Sequence, residues 1–173
     1  IITEEKLNYL LEMRASGRDR CEDYADKFGV PFYKGEKPWG VKVDIAMPCD
    51  TQNEVGTKEA KEIIANGTKY YIEVANMPTT EEALNLLIDT DGVIVAPSKA
   101  VNAGGVCVSG LEMSQNSQRL SWTAEEVDTK LHNAMKNIYH NSVAAAEKYG
   151  LGYNLVAGAN IAGFEKVAEA MMA

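Results

Sequence analysis

The sequence predicts an α/β fold, with a parallel sheet between layers of helices and a helical C-terminal third. Three observations predict it. Short apolar runs at 43–48, 70–75 and 92–96 alternate with helical periodicity at 57–65 and 79–87. The connections between these runs are short, which calls for right-handed crossovers and a parallel sheet covered on both faces. From about residue 111 onward the apolar residues recur only at three- and four-residue spacing, so no further strand is expected.

In chain order, Thr3 can cap a first helix, with Glu4 and Glu5 complementing its dipole and Leu7, Leu10 and Leu11 as its apolar face. Ser16-Gly17 breaks it, and a second helix over 19–28 stops at Gly29. The cluster Gly35-Glu36-Lys37-Pro38-Trp39-Gly40 is a turn before the first strand. The helix at 57–65 ends at Asn66-Gly67. Thr79 opens the next with a capping box to Glu82, and Ala83, Leu84, Leu86 and Leu87 supply its apolar residues. After the third strand comes a glycine-bearing stretch, Val101-Asn102-Ala103-Gly104-Gly105-Val106-Cys107-Val108-Ser109-Gly110, leading into a helix at 111–117 that ends by Ser121-Trp122-Thr123. Thr123 and Glu126 form a second capping box. The helix they open buries one face through Val127, Leu131, Ala134, Met135 and Ile138 and stops near Tyr149-Gly150. A last helix, from about 159 to 172, places Ile161, Phe164, Val167 and Met171 on one stripe.

At 173 residues, 46% hydrophobic and 24% charged, the chain has ordinary globular composition and enough length for one domain with a real core. A net charge of −8 argues against nucleic acid or an anionic membrane surface as partner. No apolar run approaches the roughly 20 residues of a membrane span. The opening residues read as an amphipathic helix rather than a signal peptide. Cys21, Cys49 and Cys107 are odd in number, far apart, and form no CxxC or CxxH pair, so no metal is expected. These features predict a cytoplasmic protein with free thiols. His132 and His140, eight apart with no HExxH pattern, read as surface or packing residues.

Ligands of parallel sheets bind beyond the carboxyl ends of the strands, which selects 49–53, 76–78 and 99–105. Thr51, Gln52 and Asn53 can hydrogen-bond a ribose or a phosphate, Asn76 and Asn102 can donate and accept, and Ser109 lies further into the helix. Each alone more often makes a turn or caps a helix; three such segments on one sheet edge argue for a cleft. Gly104-Gly105 leaves two readings open, close helix packing or close approach of a ligand to the backbone. A dinucleotide-binding domain carries GxGxxG in the first of its two halves. No GxGxxG occurs and the chain opens on a helix, so the sequence reads as the second half of a three-layer, Rossmann-like coenzyme domain.

Five motifs then carry a resemblance. Pro48-Cys49 with Thr51-Gln52-Asn53, Ala75-Asn76-Met77-Pro78-Thr79-Thr80, Asn102-Ala103-Gly104-Gly105-Val106, Ser109-Gly110 with Glu112-Met113 and Gln115-Asn116, and Ala157-Gly158-Ala159-Asn160-Ile161 together resemble the hexameric glutamate dehydrogenases. The resemblance covers essentially the whole chain and corresponds to the C-terminal part of the family. It implies that 1–173 is a partial coenzyme-binding domain, with 102–173 helical and packing back toward an N-terminal substrate domain outside this sequence. It implies reversible oxidative deamination of L-glutamate to 2-oxoglutarate and ammonia by a homo-hexamer. The catalytic lysine and aspartate of the family lie in that N-terminal domain, so no catalytic residue is assigned here.

By motif position Cys49, Thr51, Gln52, Ala75 and Asn76 are implied to bind the coenzyme, and Val106, Ser109 and Asn102 the substrate, with Ser109 near its side-chain carboxylate. A hydroxyl and helix N–H groups suit a carboxylate. Val74, Ser98 and Val101 resemble the NAD-linked clostridial-type members, so NAD is expected in preference to NADP. Asp50 and Cys107 depart from the family's pattern. An inward Asp50 would repel coenzyme phosphates, so it is expected to point outward, and Cys107 reads as a packing difference. The isolated chain is expected to be inactive. The rival readings are a non-enzymatic nucleotide-binding or assembly module, or an NADP-linked or other amino-acid dehydrogenase of the same superfamily.

Overall fold

The computed structural model describes residues 2–18 and 20–173. The chain divides into two compact units, Ile1–Pro38 and Trp39–Ala173. In the first, α1 (Glu4–Ala15) begins where the Thr3 hydroxyl accepts from the Lys6 N–H at 3.4 Å. Helix α2 (Cys21–Phe28) ends at Gly29 in the left-handed region, φ 60°. Its expected start, Asp19, lies outside the described residues. The expected apolar face of α1 is not the one used: Leu7, Leu10 and Leu11 are exposed, while Met13 is buried. The Tyr9 and Tyr24 rings instead pack on Phe28, with centroids 5.5 and 4.8 Å away. Aromatic pairs add contact energy that a leucine stripe without a partner does not supply.

The second unit is built on three parallel strands, β1 (Ile45–Ala46), β2 (Tyr70–Ile72) and β3 (Ile94–Ala96), in that order across the sheet. Helix α3 (Thr57–Ala65) connects β1 to β2, and α4 (Glu81–Ile88) connects β2 to β3. Ala46, Tyr71 and Val95 are in register and face one way; with Ala60, Ile63, Ala83 and Leu87 they make the core. The other row in register is Ile45, Tyr70 and Ile94. β3 contacts α8 (Leu155–Met172), whereas Ile45 and Tyr70 of this row remain 53% and 43% exposed. The expected covering of both faces is therefore complete on one face and partial on the other.

Tyr71 explains a displaced helix start. The cap of α4 is Thr80, not Thr79. Thr79 is buried and its hydroxyl lies 2.7 Å from the buried Tyr71 hydroxyl, so the capping box with Glu82 does not form. Satisfying a phenol in the core outweighs a cap on the surface. Burial pushes the Tyr71 phenol well above its ordinary value near 10. The fold favours the neutral form, so this contribution is complete below the unfolded-state pKa and is lost as pH rises above about 10. Tyr71→Phe is expected to lower stability at neutral pH by about 1–2 kcal/mol and to flatten the fall in stability above about pH 10. Urea unfolding as a function of pH measures both; an unchanged alkaline slope would contradict the assignment.

Past β3, a single turn, α5 (Ser98–Val101), leads to α6 (Ala103–Gln118), α7 (Ala124–Lys148) and α8. Thr123 and Glu126 form the expected capping box at the start of α7. Val127, Leu131, Ala134, Met135 and Ile138 are the half-buried positions on an otherwise exposed stretch, and His132 and His140 are exposed. Two boundaries differ from the sequence reading. Helix α6 begins at Ala103 rather than near 111 and ends at Gln118, with Arg119 left-handed at φ 54°. Helix α8 begins at Leu155 rather than near 159, because the Asn154 side chain accepts from the Ala157 N–H at 3.0 Å. Phe164, Val167 and Met171 are exposed; α8 meets α7 instead through Gly158, where a built Cβ would lie 1.9 Å from the Ser142 carbonyl oxygen. Cys21, Cys49 and Cys107 are free thiols.

Candidate functional site

The three segments that follow the strands are stitched together by their backbones. Val74 and Ala75 N–H groups donate to the Pro48 carbonyl at 3.1 and 2.9 Å. The Asn53 N–H donates to Met77 at 2.9 Å, and the Val55 N–H to Pro78 at 2.9 Å. Val55 and Thr79 form a parallel bridge that prolongs the sheet beyond its strands. Two left-handed residues make the bends, Asn53 at φ 55° and Met77 at φ 52°. Asn tolerates that region well, whereas Met there is held by its surroundings at a cost of about 1 kcal/mol or more.

The third segment is anchored by a residue the sequence reading passed over. Glu73 is 3% exposed, and its carboxylate accepts from the Ser98 N–H at 3.1 Å, which fixes the start of α5. A carboxylate in the middle of the apolar run Tyr70-Tyr71-Ile72-Glu73-Val74-Ala75 is the signal, since a buried charge needs a partner. Asn102 joins α5 to α6, and its amide donates to Asn76 Oδ1 at 2.6 Å across the strand ends.

These segments wall an open cleft of about 980 Å³. Thr51, Gln52, Ala75, Asn76, Asn102 and Val106 all line it, so six of the eight singled-out residues meet in one place. Cys49 and Ser109 do not line it. The Cys49 thiol turns back to donate to the Met47 carbonyl at 3.3 Å, and Ser109 is exposed on α6 three residues beyond Val106. Asp50 does line the cleft, against the expectation that it points outward. Lys99, to which the sequence assigns no role, lines it too; among the described residues lining the cleft it is the one cation, as Asp50 is the one anion.

Neither glycine lines the cleft, and neither reading of the pair is required by space. Both lie in the first turn of α6, not in a loop before it. A Cβ on Gly104 would meet Leu131 and Met135 of α7 at 3.4 and 3.7 Å, ordinary van der Waals contact, so Gly104 faces α7 without the space demanding a glycine. A Cβ on Gly105 would meet nothing within 4 Å. Among the described residues no group of three or more His, Cys, Asp or Glu is placed to hold a metal ion.

What the arrangement can do is bind. Asn102 Nδ2 is bonded to Asn76 Oδ1, which leaves the Asn76 amide N–H groups and Asn102 Oδ1 without partners among the described residues. A donor and an acceptor side by side suit a carboxamide or a sugar hydroxyl. Thr51 and Gln52 add neutral polar groups to the same wall.

Comparison with known proteins adds the context. The model of the glutamate/leucine/phenylalanine/valine dehydrogenase family matches residues 2–173. The NAD-specific glutamate dehydrogenase of Clostridium symbiosum is 72% identical over 173 residues, covering 100% of this chain and 38% of that protein. The NADP-specific glutamate dehydrogenase of Salmonella typhi is 54% identical over 174 residues, covering 99% of this chain and 38% of that protein. A solved glutamate dehydrogenase structure, 72% identical, superposes with a TM-score of 0.94 over 98% of this chain and 38% of its own. The chain thus spans 38% of the length of these relatives.

Proposed function

The chain belongs to the glutamate/leucine/phenylalanine/valine dehydrogenase family, and on that premise we propose that it forms the nicotinamide- and substrate-facing wall of a glutamate dehydrogenase. The reaction is reversible oxidative deamination of L-glutamate to 2-oxoglutarate and ammonia. The observation that carries this reading is the cleft at the strand ends, with its Asn76–Asn102 amide pair. The residues present fit the nicotinamide end of a dinucleotide: the partnerless amide donor and acceptor match a carboxamide or a ribose hydroxyl. When bound, the nicotinamide supplies the hydride acceptor or donor. NAD is preferred to NADP because the 72% identical relative is named NAD-specific, against an NADP-specific relative at 54%.

The work of this chain is positioning. Asn76 and Asn102, locked to each other, hold the nicotinamide end in one orientation. Val106 gives the substrate an apolar wall, and Ser109, on the same face of α6 by its three-residue spacing, reaches toward the distal carboxylate. Such orientation can lower a barrier by roughly 7–11 kcal/mol in the best cases. Proton transfer belongs to a lysine and an aspartate of a separate N-terminal domain, toward which 102–173 packs; the exposed stripe of Phe164, Val167 and Met171 supports that placement. The assembly is a homo-hexamer of the cytoplasm, a compartment in keeping with three free thiols.

Two measurements test the reading. In the enzyme containing this chain, Asn76→Ala or Asn102→Ala is expected to cut kcat/KM for glutamate about tenfold or more, since each leaves the other amide unpaired. Activity within about twofold of wild type would refute the assignment. The 173-residue chain by itself is expected to form no NADH from glutamate and NAD+, and turnover by it would refute the division of labour.

A further inference from the structure

Among the described residues, Lys99 is the one cationic residue lining the cleft. It sits in α5, the turn that follows β3, and its ammonium donates to the side-chain carbonyl of Asn160 in α8, 61 residues further along. Among the described residues no carboxylate is paired with it. The choice of partner matters. An ammonium has three donors, and a neutral carbonyl takes one while leaving the charge uncancelled. A carboxylate in the same place would neutralise it. The contact also restrains a long side chain whose rotamers would otherwise have to be frozen at the moment of binding.

We propose that Lys99, held by Asn160, is the oxyanion-binding group of this cleft, taking a carboxylate or a phosphate of the bound ligand. The inference rests on the functional reading above, because a dinucleotide and a dicarboxylic amino acid are both anionic. A chain of net charge −8, with Asp50 in the same cleft, has to supply local positive charge for either. Lys99 makes the contact. Asn160 is a positioning residue: it sets where the ammonium stands and touches no ligand itself.

The test uses the enzyme containing this chain and two arms. NADH binding without amino acid, followed by nucleotide fluorescence, reports on phosphate; KM for 2-oxoglutarate at saturating NADH and ammonia reports on carboxylate. Lys99→Gln is expected to weaken one of the two by about tenfold or more, with a smaller change in kcat, and Lys99→Arg to recover most of the loss. Asn160→Asp keeps an acceptor in place but sets a negative charge on the ammonium. It is expected to weaken the same ligand by a comparable factor while the unfolding midpoint stays level or rises, which a merely structural tether would not produce. Lys99→Gln within about twofold of wild type in both arms, or Asn160→Asp binding as wild type does, overturns the inference. Absence of glutamate turnover in the wild-type enzyme overturns the functional reading instead, so the two failures are distinguishable.

Discussion

Gly158→Ala is expected to be the most damaging single substitution in the helical part of the chain. Its Cβ would stand 1.9 Å from the Ser142 carbonyl oxygen, 2.9 Å from its carbonyl carbon and 3.1 Å from the Ala146 side chain. The obstruction is helix backbone, which has no rotamer to escape into, so α7 and α8 must move apart. Ser142, Ala145, Ala146 and Leu155, the buried residues of the pair, then lose their contacts together. The exposed ion pair of Lys148 with Glu165 at 2.5 Å cannot compensate, because such pairs contribute little in water. Overpacking of this severity costs about 3 kcal/mol or more. The control is Gly163→Ala in the same helix, where a Cβ meets nothing within 4 Å and helix propensity favours alanine by up to about 1 kcal/mol. Chemical denaturation with hydrogen exchange on α7 and α8 reads both. Equal stability of the two variants would contradict the close-approach account.

Ser109→Val is expected to separate the substrates. If Ser109 serves the distal carboxylate, the variant loses a charge-assisted hydrogen bond and presents methyl groups to a carboxylate, a loss of up to about 100-fold in kcat/KM for glutamate. Norvaline, which has no carboxylate there, should be used nearly as before. Ser109 lies outside the cleft lining and is exposed, so its contact requires substrate to extend along α6 beyond Val106. Equal losses on both amino acids would place Ser109 in general structure rather than in specificity, and would favour another dehydrogenase of the superfamily.

The order of elements and the place of the cleft were legible because both rest on local rules. Periodicity marked 57–65 to the residue, and the strand-end rule picked out the three segments that meet. What escaped the sequence depends on partners distant along the chain. Thr79 left its cap for Tyr71, eight residues away. Leu7, Leu10 and Leu11 looked like a buried face, yet the rings of Tyr9, Tyr24 and Phe28 make the contact. Gly158 is alike in sequence to any flexible glycine, and only the neighbouring helix shows that it is a packing position. Lys99 belonged to a segment already singled out, but its hold on Asn160 spans 61 residues and leaves no trace in spacing. Asp50, expected on electrostatic grounds to point outward, lines the cleft instead, a placement that spacing along the chain does not show.

The most direct measurement of the central claim is turnover by the purified enzyme containing this chain, assayed with L-glutamate and either coenzyme, alongside its Asn76→Ala and Asn102→Ala variants. The account predicts glutamate-dependent NADH formation, weaker use of NADP+, and a loss of about tenfold or more in each variant. An enzyme that turns over no glutamate with either coenzyme, or whose turnover is indifferent to both asparagines, would contradict it.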